Sequence, residues 1–178
     1  MSVRILIIGS SCSGKTTLGG KLAREFDGKH IDLDDLAWLP NWQQEERPKL
    51  ESKIKAAIDG VDTWVISGSY SYTWAITMPR ATHIVFLDLP YPVLLWRLIR
   101  RSFRRHFKKE KCCGENQERL LHSLWGKDSL LMWQMKNFKR KREQYRGQQQ
   151  NPINPDAKLM RLEGKDIHRA ADMIKLSL

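Results

Sequence analysis

Eight consecutive residues, Gly9-Ser10-Ser11-Cys12-Ser13-Gly14-Lys15-Thr16, satisfy G-x-x-x-x-G-K-[ST] without a mismatch. That pattern makes a phosphate cradle, a P-loop, when a strand precedes it and a helix follows it. Gly9 and Gly14 let the backbone curl so that successive N–H groups, including those of Ser10, Ser11, Cys12 and Ser13, point at phosphate oxygens. The helix opening near Lys15 adds its positive N-terminal end, and Thr17 extends the set of nucleotide contacts. Lys15 supplies a point charge to the β- and γ-phosphates, and the Thr16 hydroxyl suits a Mg²⁺ ion. The chemistry expected is capture of a nucleoside triphosphate with its metal. A Gly/Ser-rich turn that merely contains Lys-Thr is the competing reading, and the flanking elements argue against it. Cys12 stands where the pattern tolerates any residue, so packing is a plainer role for its thiol than nucleophilic attack.

Those flanking elements follow from apolar periodicity. Residues 3–8 are a short apolar run rich in β-branched side chains, the mark of a buried strand with parallel neighbours. Residues 16–26 carry Leu18, Leu22, Ala23 and Phe26 at helical spacing. Gly19 and Gly20 inside that helix cost roughly 1 kcal/mol each relative to Ala, so close packing on the sheet is the expected reason for them. Further strands are expected at 30–33, 64–66, 83–89 and 158–162. Helices are expected at 50–58, 93–107 (with Leu94, Leu95, Leu98 and Ile99 inward), 130–145 and 167–176. Pro40 and Pro48 mark a Trp-rich loop, and 147–156 reads as another loop. Strands alternating with helices predict an α/β three-layer sandwich on a parallel sheet, one domain over 1–178.

Composition bounds the rest. The 178 residues are 41% apolar, enough for a core, and Lys and Arg outnumber Asp and Glu 31 to 20, a net charge of +11. Segment 97–111 holds eight Lys/Arg and one Glu, and segment 136–146 six and one, so nearly all of the excess sits on two surfaces. Such surfaces serve as solvated helix faces, as a pocket for a polyanion, or as a nucleic-acid footprint. No apolar run approaches the roughly 20 residues that span a bilayer, so no membrane partner is expected. Cys12, Cys112 and Cys113 make neither a disulfide framework nor a zinc pattern, and a cytoplasmic location is the default. Oligomeric state stays open.

With the loop, HIDLDDLAWLPNW (30–42), WVISGSYS (64–71), PRATHIVFLDLP (79–90) and LLWRLIRR (94–101) in view, the chain resembles the small P-loop kinases related to adenylate and shikimate kinases. More closely it is similar to the FlaR-type DNA topology modulation proteins, a group described as adenylate-kinase-related. The resemblance implies a P-loop NTPase, nucleoside-monophosphate-kinase-like fold. Its sheet would have five parallel strands in the order 2-3-1-4-5, with a mobile lid over roughly 103–125 to which Arg119 could add a contact. It implies ATP rather than GTP, with Mg²⁺. Asp32 and Asp34 match the carboxylates that touch acceptor and the metal's water shell. A carboxylate there orients Mg²⁺ waters or accepts the acceptor's hydroxyl proton, so Asp32 is expected to act in catalysis and, with Thr16, at the metal. Arg97 and Arg101, four apart on one helix face, match a pair in which one arginine covers the base and the other stabilises the transferring phosphoryl group. Trp38, Trp42 and Trp74 follow strands two and three and could stack on an acceptor, and Arg80 could hold an anionic one. The pattern departs at Ser67-Gly68, where related kinases place Asp-Gly. A serine brings no charge to the metal's waters, so Asp32 carries that role alone, or transfer is slow, or nucleotide is bound without efficient chemistry. Asp88 is read as structural.

A Mg²⁺-dependent kinase acting on a small, possibly nucleotide-like acceptor is the leading expectation. A nucleotide-dependent regulatory protein with weak, sequence-independent DNA binding is the alternative, and a slowly hydrolysing switch is a third. No helix-turn-helix, RNP-like or zinc-finger pattern reads base edges here.

Overall fold

The computed structural model describes residues 2–114, 116–117, 120–126 and 129–178, leaving aside the side chains of Leu121 and His122. Strand β1 (Arg4–Gly9) is buried on both faces: Leu6 and Ile8 pack to one side, Ile5 and Ile7 to the other. Alternation at period two explains why an unbroken apolar run is needed there. β2 (Lys29–Asp32), β3 (Trp64–Ser67), β4 (His83–Leu87) and β5 (Lys158–Leu162) complete a parallel sheet ordered β2-β3-β1-β4-β5. The chain also forms two antiparallel ribbons of two-residue strands, Trp38–Leu39 with Gln43–Gln44 and Lys111–Cys112 with Asn116–Gln117, which periodicity did not foretell. Counted over every strand, the sheet order is therefore 2-5-1-6-9.

Helix α1 (Lys15–Glu25) follows β1, and α2 (Leu33–Ala37) follows β2. α3 (Arg47–Ile58) and α4 (Trp74–Thr77) flank β3, and α5 (Tyr91–Lys108) follows β4. Then come α6 (Leu120–Leu124), α7 (Leu130–Gln150) and the terminal α8 (Ala170–Lys175). Leu18, Leu22, Leu94 and Ile174 cover one face of the sheet. Leu50, Ile54, Trp74, Met78 and Tyr145 cover the other. Neighbours of β1 on its two sides are reached by crossovers in opposite directions, so a crevice opens at the C-terminal strand ends.

Several expectations need correction. Pro48 lies in the first turn of α3, where its missing N–H costs nothing, and is no loop marker. Residues 147–150 continue α7 rather than starting a loop. Ile99 is 41% exposed and faces away from the core, because only Leu94, Leu98 and Ser102 of α5 point inward. Arg119 lies outside the described residues.

Candidate functional site

The loop between β1 and α1 lies at the C-terminal edge of the sheet. Gly14 has φ 100°, a left-handed conformation that favours glycine, and its carbonyl accepts the first helical bond, from the N–H of Leu18 at 2.9 Å. Gly19 backs the site: a Cβ there would run into the His30 ring and the side chain of Ser67, so close packing does require it. At Gly20 a Cβ would make only an ordinary contact with His30.

Lys15 folds back so that Nζ donates to Ser10 O at 2.9 Å. Burial pushes its ammonium down, Asp34, Cys12 and Asp32 pull it back up, and Arg101 adds to the depression. Thr16 Oγ1 donates to Asp32 Oδ2 at 2.7 Å, while Asp32 Oδ1 accepts from the N–H of Asp34 at 3.0 Å. Asp32 therefore caps α2 and faces the loop at once. Burial raises its carboxyl pKa, and the bonds from Thr16 and the Asp34 N–H oppose that. A threonine hydroxyl beside a carboxylate, at the mouth of a phosphate loop, is a hard-oxygen pair that fits Mg²⁺, an ion that keeps most of its waters.

Ser67, expected to weaken the metal's shell, is fully buried on β3, with Oγ 3.0 Å from His30 Nε2. Burial lowers the pKa of His30, favouring the neutral ring. Asp34 accepts from the Tyr70 hydroxyl at 2.7 Å. Burial, and then that carboxylate, push the Tyr70 phenol up, so it stays a donor.

Two arginines of α5 overhang the loop. Arg97 Nη1 donates to Ser13 O at 3.3 Å, and Arg101 is close enough to depress Lys15. Spacing placed them on one face, and the fold lays that face on the P-loop.

Trp38 and Trp42 meet edge to face with centroids 5.6 Å apart. The second ribbon clamps them. Asn116 Oδ1 accepts from the Trp42 N–H at 2.9 Å, Asn116 Nδ2 donates to Leu39 O at 2.9 Å, and Trp42 Nε1 donates to Gln117 O at 3.2 Å. Cys113 faces Asp34 from this ribbon. Its bond with Cys112, burial and the carboxylate all push its thiol up, which keeps it protonated and unreactive. Among the described residues no cluster of His, Cys, Asp and Glu could hold a metal by itself.

Two expected acceptor contacts lie elsewhere. Trp74 is buried in the core beside Met78 and Ile66, so its ring is not offered to a ligand. Arg80 is exposed and sits just ahead of β4, at the N-terminal edge of the sheet, a strand's length from the loop. A residue that precedes a parallel strand lies opposite the crevice, which is why it cannot reach.

Periodicity did not single out three contributors. Gln134 of α7 donates from Nε2 to Ser11 O at 3.0 Å, Lys141 donates from Nζ to Ser69 O at 2.8 Å, and Tyr70 holds Asp34. For Lys141 a signal existed. It falls on one helix face with Phe138 and Tyr145, spaced three and four residues apart, and the density of charge around it masked that pattern. Asp88 is structural, as expected: it is buried and pairs with Arg142 at 2.6 Å and with Arg161 at 2.7 Å.

No family model matches the chain. The chain is 28% identical over 120 residues to a Bacillus subtilis protein described as uncharacterized protein YqaC, an alignment covering 66% of this chain and 67% of that protein. Among solved structures it is similar to shikimate kinase from Aquifex aeolicus, with a TM-score of 0.57 at 19% identity, covering 98% of this chain and 95% of that one. It is also similar to a gluconokinase from Sinorhizobium meliloti, with a TM-score of 0.53 at 16% identity over 99% and 97%. The loop, the sheet order and the crevice thus sit in a fold that this chain shares with small P-loop kinases.

Proposed function

We propose that the chain is a Mg²⁺-dependent kinase that moves the γ-phosphoryl group of ATP to a hydroxyl of a small acceptor. The observation that carries this reading is the 2.7 Å hydrogen bond from Thr16 Oγ1 to Asp32 Oδ2, beside Lys15 and the loop amides. Those amides and Lys15 would hold the phosphates, and Thr16 and Asp32 would hold the metal, which would supply neutralisation of phosphate charge when bound. Arg97 covers the nucleotide side of the loop. Arg101 neutralises charge that develops on the transferring group, an effect worth on the order of 10³-fold or more for such arginines. Asp34, oriented by Tyr70, accepts the acceptor's hydroxyl proton, or Asp32 does so where it is not occupied by the metal. The segment over 103–125 acts as a lid, and closure of its ribbon over Trp38, Trp42 and Asp34 excludes the water that would otherwise take the phosphoryl group.

The test is ADP release with Mg²⁺ and ATP across shikimate, gluconate and nucleoside monophosphates, with Lys15→Ala as control. Acceptor-dependent turnover that falls at least 10²-fold in the variant is expected. ADP release that ignores every acceptor would leave a slow hydrolysing switch instead. A second reading, weak binding of nucleic acid, is favoured by one observation. Trp96, Phe103 and Phe107 are exposed along α5, with the guanidinium of Arg100 over the Trp96 ring at 5.2 Å.

A further inference from the structure

Gln134 is a polar side chain that α7 buries almost completely, at 2% exposure. Its Nε2 donates to Ser11 O at 3.0 Å, a bond between residues 123 positions apart in sequence. A carbonyl oxygen can only accept, so the amide must turn its NH₂ end to the loop. Two further loop carbonyls are held by side chains as well: Lys15 Nζ donates to Ser10 O at 2.9 Å, and Arg97 Nη1 to Ser13 O at 3.3 Å. Lys15 and Arg97 carry charge that serves phosphate directly under the kinase reading. Gln134 is neutral, so what it can supply is the orientation of the loop.

Cys12, the next residue, has φ 61°, a left-handed conformation that is uncommon for residues other than glycine, asparagine and aspartate. In a trans peptide the C=O and N–H point opposite ways. With Ser11 O turned to α7, the Cys12 N–H points away from α7, the direction in which a phosphate cradle must offer it. Half a turn of that one peptide would carry the φ of Cys12 to about −120°, in the broad β region open to every residue. It would also aim Ser11 O at the phosphates and the Cys12 N–H away from them. Local preference thus favours the wrong orientation, and the bond from Gln134 opposes it. We propose that Gln134 is a positioning residue for the phosphate cradle, one that keeps the Ser11–Cys12 peptide turned so that its N–H meets phosphate. The inference rests on the nucleotide-capture part of the kinase reading, and adds that phosphate affinity depends on how α7 holds the loop.

Titration calorimetry with two probes, Mg²⁺·ADP and Mg²⁺·tripolyphosphate, tests this. Gln134→Met keeps the bulk of the side chain and removes the donor. Its affinity for both probes should fall about tenfold, or about 1.4 kcal/mol. Adding Cys12→Gly to Gln134→Met should recover about threefold or more, because glycine holds φ near 60° at little cost. In ¹H–¹⁵N spectra of wild type, the Cys12 amide proton should move downfield on addition of tripolyphosphate, as befits an N–H that gains a short charge-assisted bond. In Gln134→Met that shift should shrink while the Gly14 amide still responds. Arg142→Met loosens α7 from Asp88 and leaves the loop bond in place. It should lower the melting temperature with probe affinity within about twofold of wild type.

A folded Gln134→Met that binds both probes as wild type does would overturn the inference and leave the kinase reading standing. An equal loss of affinity in Arg142→Met would also overturn it, since general loosening of α7 would then explain the effect. So would a failure of Cys12→Gly to recover any affinity, because the orientation of the Ser11–Cys12 peptide would not be what the glutamine controls. Should Gln134→Met not fold, Gln134→Asn, one methylene too short to reach Ser11 O, takes its place with the same expected losses. Wild type that binds neither probe brings down the kinase reading itself, and the inference with it.

Discussion

Asp32 offers one carboxylate oxygen to the N–H of Asp34 and the other to the Thr16 hydroxyl, so helix capping and loop chemistry share a single side chain. The two roles separate by substitution. Asp32→Asn keeps an oxygen for the cap but removes the charge that would face Mg²⁺. It should lower turnover by about 10²-fold, a loss of roughly 3 kcal/mol of transition-state stabilisation, with little change in melting temperature. Asp32→Ala should lose the same turnover and also about 1 kcal/mol of stability, the usual cost of a missing N-cap. Steady-state kinetics and denaturant melts on the pair check both. If Asn unfolds the protein as readily as Ala does, the cap is not what the second oxygen supplies. Ser67 belongs to the same account. Its hydroxyl lies against His30, so under the proposed kinase reading the charge that an aspartate would bring to the metal's waters would come from Asp32.

Among the elements, α1 shows how a local cost is accepted for a tertiary contact. Two adjacent glycines weaken the helix by roughly 1 kcal/mol each, yet their surroundings differ. A Cβ on Gly19 collides with His30 and crowds Ser67, while one on Gly20 meets His30 at an ordinary 3.9 Å. Gly19→Ala should therefore destabilise the protein by about 1–3 kcal/mol, as overpacking does, and disturb the strand ends that carry Asp32. Gly20→Ala should stabilise it by up to about 1 kcal/mol, the propensity gain with little steric charge against it. Urea melts of the two variants decide it; a destabilised Gly20→Ala would mean that α1 lies closer to β2 than the contacts indicate. α7 makes the complementary point. Its inward face sends Gln134 to the P-loop and Lys141 to the end of β3, while Arg142 joins Asp88. One helix thereby ties both sides of the crevice to the edge of the sheet.

Across the whole molecule, the charge excess divides into two populations. Arg97, Arg101, Lys141 and Arg142 turn toward the P-loop, the end of β3 or Asp88. Arg100, Lys108 and Lys109 stay exposed on α5 or at its end, beside Trp96, Phe103 and Phe107. The second group is available to a polyanion outside the crevice. A 20-nucleotide single strand should bind weakly, with an affinity that falls steeply as salt rises. Each phosphate contacted contributes about 0.7 to the logarithmic slope, so a slope near 2 is expected from three cations. Phe103→Ala combined with Phe107→Ala should weaken binding further by removing stacking. Fluorescence anisotropy at two salt concentrations checks this. Tight, sequence-selective binding that survives physiological salt would instead favour the regulatory reading.

The P-loop and its two flanking elements were legible because their information is local: a contiguous pattern, an apolar run that hides on both faces, and a helix start. Helical spacing put Arg97 and Arg101 on one face, whereas the order of the sheet and the side to which that face turns were expected only from the resemblance to small P-loop kinases. Trp74, Arg80 and Lys141 were misjudged or passed over for the opposite reason. Whether a tryptophan closes a core or faces a ligand, and whether an arginine lies at the open or the closed edge of a parallel sheet, depends on which end of each strand meets which helix. The position of Lys141 depends on α7 crossing back over β3 some 70 residues away in sequence. Burial of one charge among many is set by long-range packing, and no window of neighbouring residues contains that information.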